Sequence, residues 1–130
     1  MFDIDFDIIT CACGTGATLA GLVSGLKSHQ VAKGYAALKG ADFLHNDVKQ
    51  LLTDFFSMQS RNIKSMQSHD KQYSIETNYH FGGYAKMNSE LSDFIIGFKN
   101  EFGISLDGVY TGKMFYGLFD QIKKQAFATG

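Results

Sequence analysis

Phe6 to Ala12 reads FDIITCA and runs directly into Cys13-Gly14-Thr15-Gly16-Ala17-Thr18. The first stretch is apolar and β-branched, the pattern of a short buried strand. The second is a glycine-punctuated turn. Beyond it Leu19, Leu22, Val23 and Leu26 recur at helical spacing, so the chain passes from strand through turn to helix.

The same alternation continues outward. Gln30 to Leu38 reads as a second strand, closed by Lys39-Gly40. A helix follows to about Met58, with Phe43, Leu44, Val48, Leu51, Leu52, Phe55 and Phe56 as a broad apolar stripe; Phe43, Phe55 and Phe56 are expected in the core. Arg61 to Asp70 is polar and fits either a short helix or a loop. Gln72 to Tyr79 places Tyr73, Ile75 and Thr77 on one face of a third strand. His80 to Tyr84 is a loop. Asn88 or Ser89 caps a helix that Gly103 ends after Phe102. Ile104 to Tyr110 is expected to hold a short extended segment. A last helix is predicted over Thr111 to Phe127, with Met114, Leu118 and Ile122 on one side. The order β-α-β-α-β-α-β-α predicts an α/β fold, a parallel sheet with helices on its faces. No internal repeat or linker interrupts it, so residues 1–130 read as a single unit.

Composition narrows the function. The chain has 130 residues, 45% hydrophobic and 19% charged, enough for one domain with a real core. Twelve Lys+Arg oppose thirteen Asp+Glu, a net charge of −1, which disfavours general nucleic-acid or membrane-surface binding. No apolar run reaches the ~20 residues of a bilayer span. Cys11 and Cys13 point to the same side of one strand and do not make a disulfide scaffold. With an acidic start at Met1-Phe2-Asp3, the expected setting is reducing and cytoplasmic. Proline is absent, where average usage predicts about six.

The first loop carries the chemistry. Glycines let the backbone approach an anion, and the amides of a helix N-terminus point at it with a favourable dipole. The Thr15 and Thr18 hydroxyls add donors. The pattern is neither G-x-G-x-x-G nor G-x-x-x-x-G-K-[ST]. From the loop alone, a phosphate cradle and a tight βα turn packed by glycines stand level.

Three segments in order settle on a likeness: Cys-Gly-Thr-Gly-Ala-Thr-Leu-Ala-Gly-Leu at 13–22, Tyr-His-Phe-Gly-Gly-Tyr-Ala-Lys at 79–86, and Leu-Asp-Gly-Val-Tyr-Thr-Gly-Lys-Met-Phe-Tyr-Gly-Leu-Phe-Asp at 106–120. Together they resemble the 1-aminocyclopropane-1-carboxylate deaminase and D-cysteine desulfhydrase family, pyridoxal-phosphate enzymes of the tryptophan-synthase-β fold type. The likeness covers nearly the whole chain. It implies a partial three-layer unit from the large domain of such an enzyme. One departure is Gly108, where the family usually has proline; a turn loses rigidity but no chemical group. Family members exceed 300 residues, and their Schiff-base lysine and a serine near the substrate carboxylate lie N-terminal to the matching stretch. A final strand follows it. The expectation is therefore a C-terminal-half segment, catalytically inactive in isolation.

The resemblance implies roles residue by residue. Gly14, Thr15, Gly16, Ala17 and Thr18 match the loop that holds the cofactor phosphate. Tyr84 matches a tyrosine on the substrate side, Tyr110 a second one beside the ring, and Thr111 the position facing the pyridine nitrogen. A carboxylate there keeps that nitrogen protonated and the ring a strong electron sink; a threonine only hydrogen-bonds. Thr111 thus tilts the implied activity toward β-elimination from a small amino acid such as D-cysteine.

Other candidates carry less. Lys33, Lys39, Lys86 and Lys113 read as solvated or structural, with Lys113 nearest the ring-facing segment. His29, His45, His69 and His80 lack ligand spacing, and the two cysteines have no partner pair, so no metal site is expected. The rival is a non-catalytic α/β module that has lost the cofactor. A nucleotide binder would need a magnesium-holding motif that is missing. An apolar patch is expected, covered by a second copy or by a complementary segment.

Overall fold

The computed structural model describes residues 5–58 and 72–124. Three strands, β1 (Ile8–Cys13), β2 (Val31–Ala36) and β3 (Tyr73–Glu76), form one parallel sheet in the order β1-β2-β3. Ile8 pairs with Val31 and Cys13 with Ala36; Ala32 pairs with Tyr73. Helix α1 (Ala17–Ser24) follows β1 and α2 (Phe43–Met58) follows β2. After β3 come α3 (Ser89–Phe102) and α4 (Thr111–Lys123). The fold class is the α/β parallel sheet that the sequence predicts. The uncertain stretch from Arg61 to Asp70 and the residues after Lys124 lie outside the described residues.

Pairing fixes what each sheet face does, because side chains alternate along a strand. Cys11, Cys13, Ala32, Ala36 and Tyr73 turn to one face and pack with Leu19, Val23, Leu44, Val48, Leu52 and Phe56 of α1 and α2. Tyr35 turns to the other, where its hydroxyl donates to Gln121 Oε1 of α4 at 2.6 Å. The sheet is therefore sandwiched between α1/α2 and α4. Helix α3 packs on α4 through aromatic rings: Phe98 stands 5.0 Å from Phe115 and 5.7 Å from Phe119, centroid to centroid. Asn88 caps α3 by accepting from the Leu91 amide at 2.9 Å, and Gly103 ends it at φ 70°. Both termini follow the sequence reading.

Four expectations need correction. The extended segment within Ile104 to Tyr110 is not a strand. Its amides are spent locally: Asp107 N–H donates to Thr111 Oγ1, and the Val109 and Tyr110 amides donate to Asp107 Oδ1. Those three donors are unavailable to a ladder, and the described order is β-α-β-α-β-α-α. On α2 only the i, i+4 row Leu44, Val48, Leu52 and Phe56 is buried; Phe43 is 47% exposed and Phe55 38%. One sheet face offers room for one row, so the flanking rings remain outside. On α4 the buried face is Lys113, Met114, Gly117 and Gln121, and Ile122 is exposed. Gly117 lies there because a Cβ would stand 2.9 Å from the Tyr35 and Tyr79 rings. β3 is also shorter than expected, ending before Thr77.

Candidate cofactor site

In a parallel sheet, the loops beyond the strands' carboxyl ends gather at one edge, and ligands bind there. Beyond β1 that edge holds a cavity of about 290 Å³ lined by Ala12, Gly14, Thr15, Thr18 and Tyr110. Gly16 makes the turn at φ 85°, a left-handed conformation that disfavours side chains, and a Cβ there would stand 2.8 Å from Val48 Cγ2. Gly14 lies under Tyr110: a Cβ at 14 would approach that ring to 3.2 Å.

Helix α1 starts open. Gly16 offers no capping side chain, and the first turn contains no acidic residue. The Ala17 amide reaches Thr15 Oγ1 only at 3.4 Å. First-turn amides lack intrahelical partners, and Thr18 of this turn lines the cavity at the positive end of the helix dipole. Thr15 and Thr18 are exposed beside them.

Tyr110 bridges the loops. Its hydroxyl donates to the Tyr84 oxygen at 3.2 Å, and the rings meet edge-to-face at 6.0 Å. The Tyr110 phenol is held above its ordinary value, first by that bond, then by desolvation and by the charges of Tyr84 and Asp107. Tyr84 sits on a contorted loop: Phe81, Gly82, Gly83 and Ala85 all have positive φ. The Gly82 amide donates to His80 Nδ1 at 3.0 Å, and the Lys86 amide to Gly83 O at 3.0 Å.

Thr111 opens α4, with its hydroxyl donating to Asp107 Oδ2 at 2.6 Å and accepting from the Asp107 amide at 3.0 Å. Desolvation alone would raise the Asp107 carboxyl. The Thr111 hydroxyl and the Tyr110, Thr111 and Val109 amides outweigh it and hold the group below the usual carboxylate range. The structure thus brings Gly14, Thr15, Thr18, Tyr110 and Tyr84 around one edge, with Thr111 adjoining Tyr110 at the head of α4.

Two residues were missed as parts of this edge. Asp107 caps α4, and its place four residues before Thr111 was a readable signal. Lys113 is 1% exposed, and its Nζ donates to Ala37 O at 3.1 Å and Gly83 O at 2.9 Å. It is a structural lysine, as the sequence reading preferred, though no local pattern indicates its partners. Among the described residues no group of His, Cys, Asp and Glu could hold a metal, and no helix is long and apolar enough to cross a membrane. Cys11 and Cys13 are buried free thiols; the neighbouring Cys11 and burial together push the Cys13 thiol up.

The arrangement is that of parallel α/β proteins whose strand ends deliver a glycine turn and a helix N-terminus to a ligand edge. No family model matches the chain. It is 35% identical over 127 residues to a Pyrococcus furiosus protein named for 1-aminocyclopropane-1-carboxylate deaminase, covering 93% of this chain and 36% of that one. It is 32% identical over 128 residues to an Arabidopsis thaliana bifunctional D-cysteine desulfhydrase/1-aminocyclopropane-1-carboxylate deaminase, covering 94% and 29%. A crystal structure of an ACC deaminase homologue superposes with TM-score 0.83 and 29% identity over 98% of this chain and 38% of that one. Over nearly its whole length the chain is similar to proteins named for 1-aminocyclopropane-1-carboxylate deaminase and D-cysteine desulfhydrase, and it spans about a third of the length of the curated relatives it matches.

Proposed function

We propose that this chain is the part of a pyridoxal-phosphate-dependent deaminase or desulfhydrase that seats the cofactor's phosphate and lines its ring. One observation carries the reading: α1 begins without a capping side chain at Gly16 or an acidic residue in its first turn, beside a cavity that Gly14, Thr15, Thr18 and Tyr110 line together. The amides of Gly14 to Thr18 and the Thr15 and Thr18 hydroxyls would hold the phosphate, and the Gly14 surface lets it come close. When bound, pyridoxal phosphate supplies an electron sink for a small amino acid. Tyr110 donates its phenol proton to the Tyr84 oxygen at the mouth of the site, and the raised proton affinity of Tyr110 suits it to hold that proton at neutral pH.

Thr111 would face the ring nitrogen. A hydroxyl has one proton and two lone pairs, and here the proton is on Asp107. Thr111 can donate to a neutral nitrogen only by turning away from Asp107. Its lack of charge supports β-elimination from a substrate of the D-cysteine type over ring opening of 1-aminocyclopropane-1-carboxylate. By itself the chain is catalytically inactive in this reading, since Lys113 is engaged by two carbonyls and no described lysine lines the cavity.

The second reading is a non-catalytic module that associates with another copy or a complementary segment. The exposed Phe43, Leu51 and Phe55 on α2 favour it. Titrating the ¹⁵N-labelled chain with inorganic phosphate and then pyridoxal phosphate separates the two. Shifts confined to the amides of residues 14–18, and to Tyr110 with the second ligand only, are expected. Unmoved amides at millimolar ligand overturn the cofactor reading and leave the module.

A further inference from the structure

We propose that Lys113 is a positioning residue, a buried clamp that sets Tyr84 against Tyr110. The inference deepens the proposed function and rests on it for the meaning of that tyrosine pair, but the clamp is argued from geometry alone.

Lys113 lies in the first turn of α4, two residues after Thr111 and three after Tyr110. While Tyr110 leaves the helix toward the cavity, the Lys113 side chain runs into the core and ends between two main-chain carbonyls. One is Ala37 O, just past the end of β2; the other is Gly83 O, in the loop that carries Tyr84. Ala37 is tied in turn to the end of β1, its amide donating to Cys13 O at 3.0 Å. One ammonium therefore joins the three pieces that make the edge: the sheet end before Gly14, the loop before Tyr84, and the helix after Tyr110.

The clamp has something to restrain. Between Phe81 and Ala85 four residues adopt positive φ, two of them not glycine. Each such non-glycine residue is strained and persists only where surroundings over-determine it. The local bonds from Gly82 to His80 and from Lys86 to Gly83 stay within the loop. The bond from Lys113 to Gly83 O ties the loop's main chain to a segment 30 residues away in sequence, beside the side-chain contacts of Phe81 with Tyr116 and of Tyr84 with Tyr110. Tyr84 itself is 57% exposed, with Tyr110 as its ring neighbour. No carboxylate pairs with Lys113 among the described residues, and burial lowers its proton affinity. A lysine placed there for stability alone would be replaced to advantage by an apolar side chain. Its two carbonyl bonds explain its presence instead.

The test is Lys113→Met, which keeps the stem and removes the donors. In the unmodified chain, ring-to-ring nuclear Overhauser effects between Tyr84 and Tyr110 are expected, with slow exchange of the Lys113 Nζ protons. In Lys113→Met the Tyr84–Tyr110 effects disappear and the Gly83 and Lys86 amides exchange at least about tenfold faster, while β2 amides hold. Inorganic phosphate still shifts residues 14–18, within about twofold of the original affinity, because the clamp does not touch the nest. Retained ring effects with unchanged loop exchange in a folded Lys113→Met chain overturn the clamp. Should that variant not fold, the Nζ protons decide: rapid exchange in the unmodified chain overturns the clamp and slow exchange supports it. An intact clamp with no phosphate shift at 14–18 removes the cofactor reading and leaves the clamp standing.

Discussion

Asp107 takes the Thr111 hydroxyl on one carboxylate oxygen, at 2.6 Å, and the amides of Val109 and Tyr110 on the other, at 2.9 and 2.6 Å. The head of α4, with Tyr110 and Thr111 on it, is therefore held by one ionised side chain. Asp107→Ala should cost about 1 kcal/mol, as for lost N-caps generally, measured as a lower urea midpoint. The pH dependence has a definite sign. A carboxyl lowered by folding contributes stability above its unfolded value, near 3.9, and loses it as pH falls through the folded value. Asp107→Asn should flatten the acid limb of stability relative to the parent.

Gly16→Ala tests the nest. The substitution sets a side chain at φ 85° and 2.8 Å from Val48 Cγ2. Strain of about 1–3 kcal/mol should lower stability, and the turned amides should lose roughly tenfold in phosphate affinity, about 1.4 kcal/mol. Gly14→Ala should act differently. It presses on the movable Tyr110 ring, so pyridoxal phosphate should lose more affinity than inorganic phosphate. Equal losses for both ligands would detach Tyr110 from the site.

Tyr35→Phe probes the link between sheet and α4. The Tyr35 hydroxyl donates to Gln121 Oε1, and Gln121 Nε2 donates to Glu76 Oε2 at 2.8 Å. Removing the hydroxyl leaves Oε1 buried without a donor, which costs about 1–3 kcal/mol. The Tyr35→Phe, Gln121→Leu pair should cost less than the sum of the single changes. Denaturant unfolding of all four chains measures this coupling; additive costs would dismiss it.

Tyrosine ionisation should unfold the chain at high pH. Burial, then Glu76, pushes Tyr35 up to about 12. The Glu90 hydrogen bond, then desolvation, pushes Tyr116 to about 12. Tyr79, desolvated and bonded to Asp120 at 2.6 Å, is also raised. Unfolded tyrosines ionise near 10. The stabilisation is complete below that value and is lost as pH rises through the folded ones. Ultraviolet titration should show these three phenols ionising late, with the urea midpoint falling above about pH 10. A phenol titration centred at the ordinary value for all six tyrosines would contradict this picture.

What could be read from the chain was whatever is decided over a few residues. The alternation of FDIITCA with a helical leucine pattern specified a strand and α1; Asn88 and Gly103 specified the two ends of α3. Glycines at 14 and 16 specified an open turn. The expected strand at Ile104 to Tyr110 failed because Asp107 and Thr111 capture its amides, a competition between side chain and ladder that periodicity does not register.

By itself the sequence determined the α/β class, the glycine turn and the donor groups on it, since backbone freedom, capping and short-range periodicity are local properties. Only the tertiary structure decided that Tyr110 lies over Gly14, that Phe43 and Phe55 stay outside, and that Lys113 closes on Ala37, 76 residues away. Those choices depend on how much room one sheet face offers and on which carbonyls remain unpaired after the ladders form. Neither quantity exists until distant segments meet.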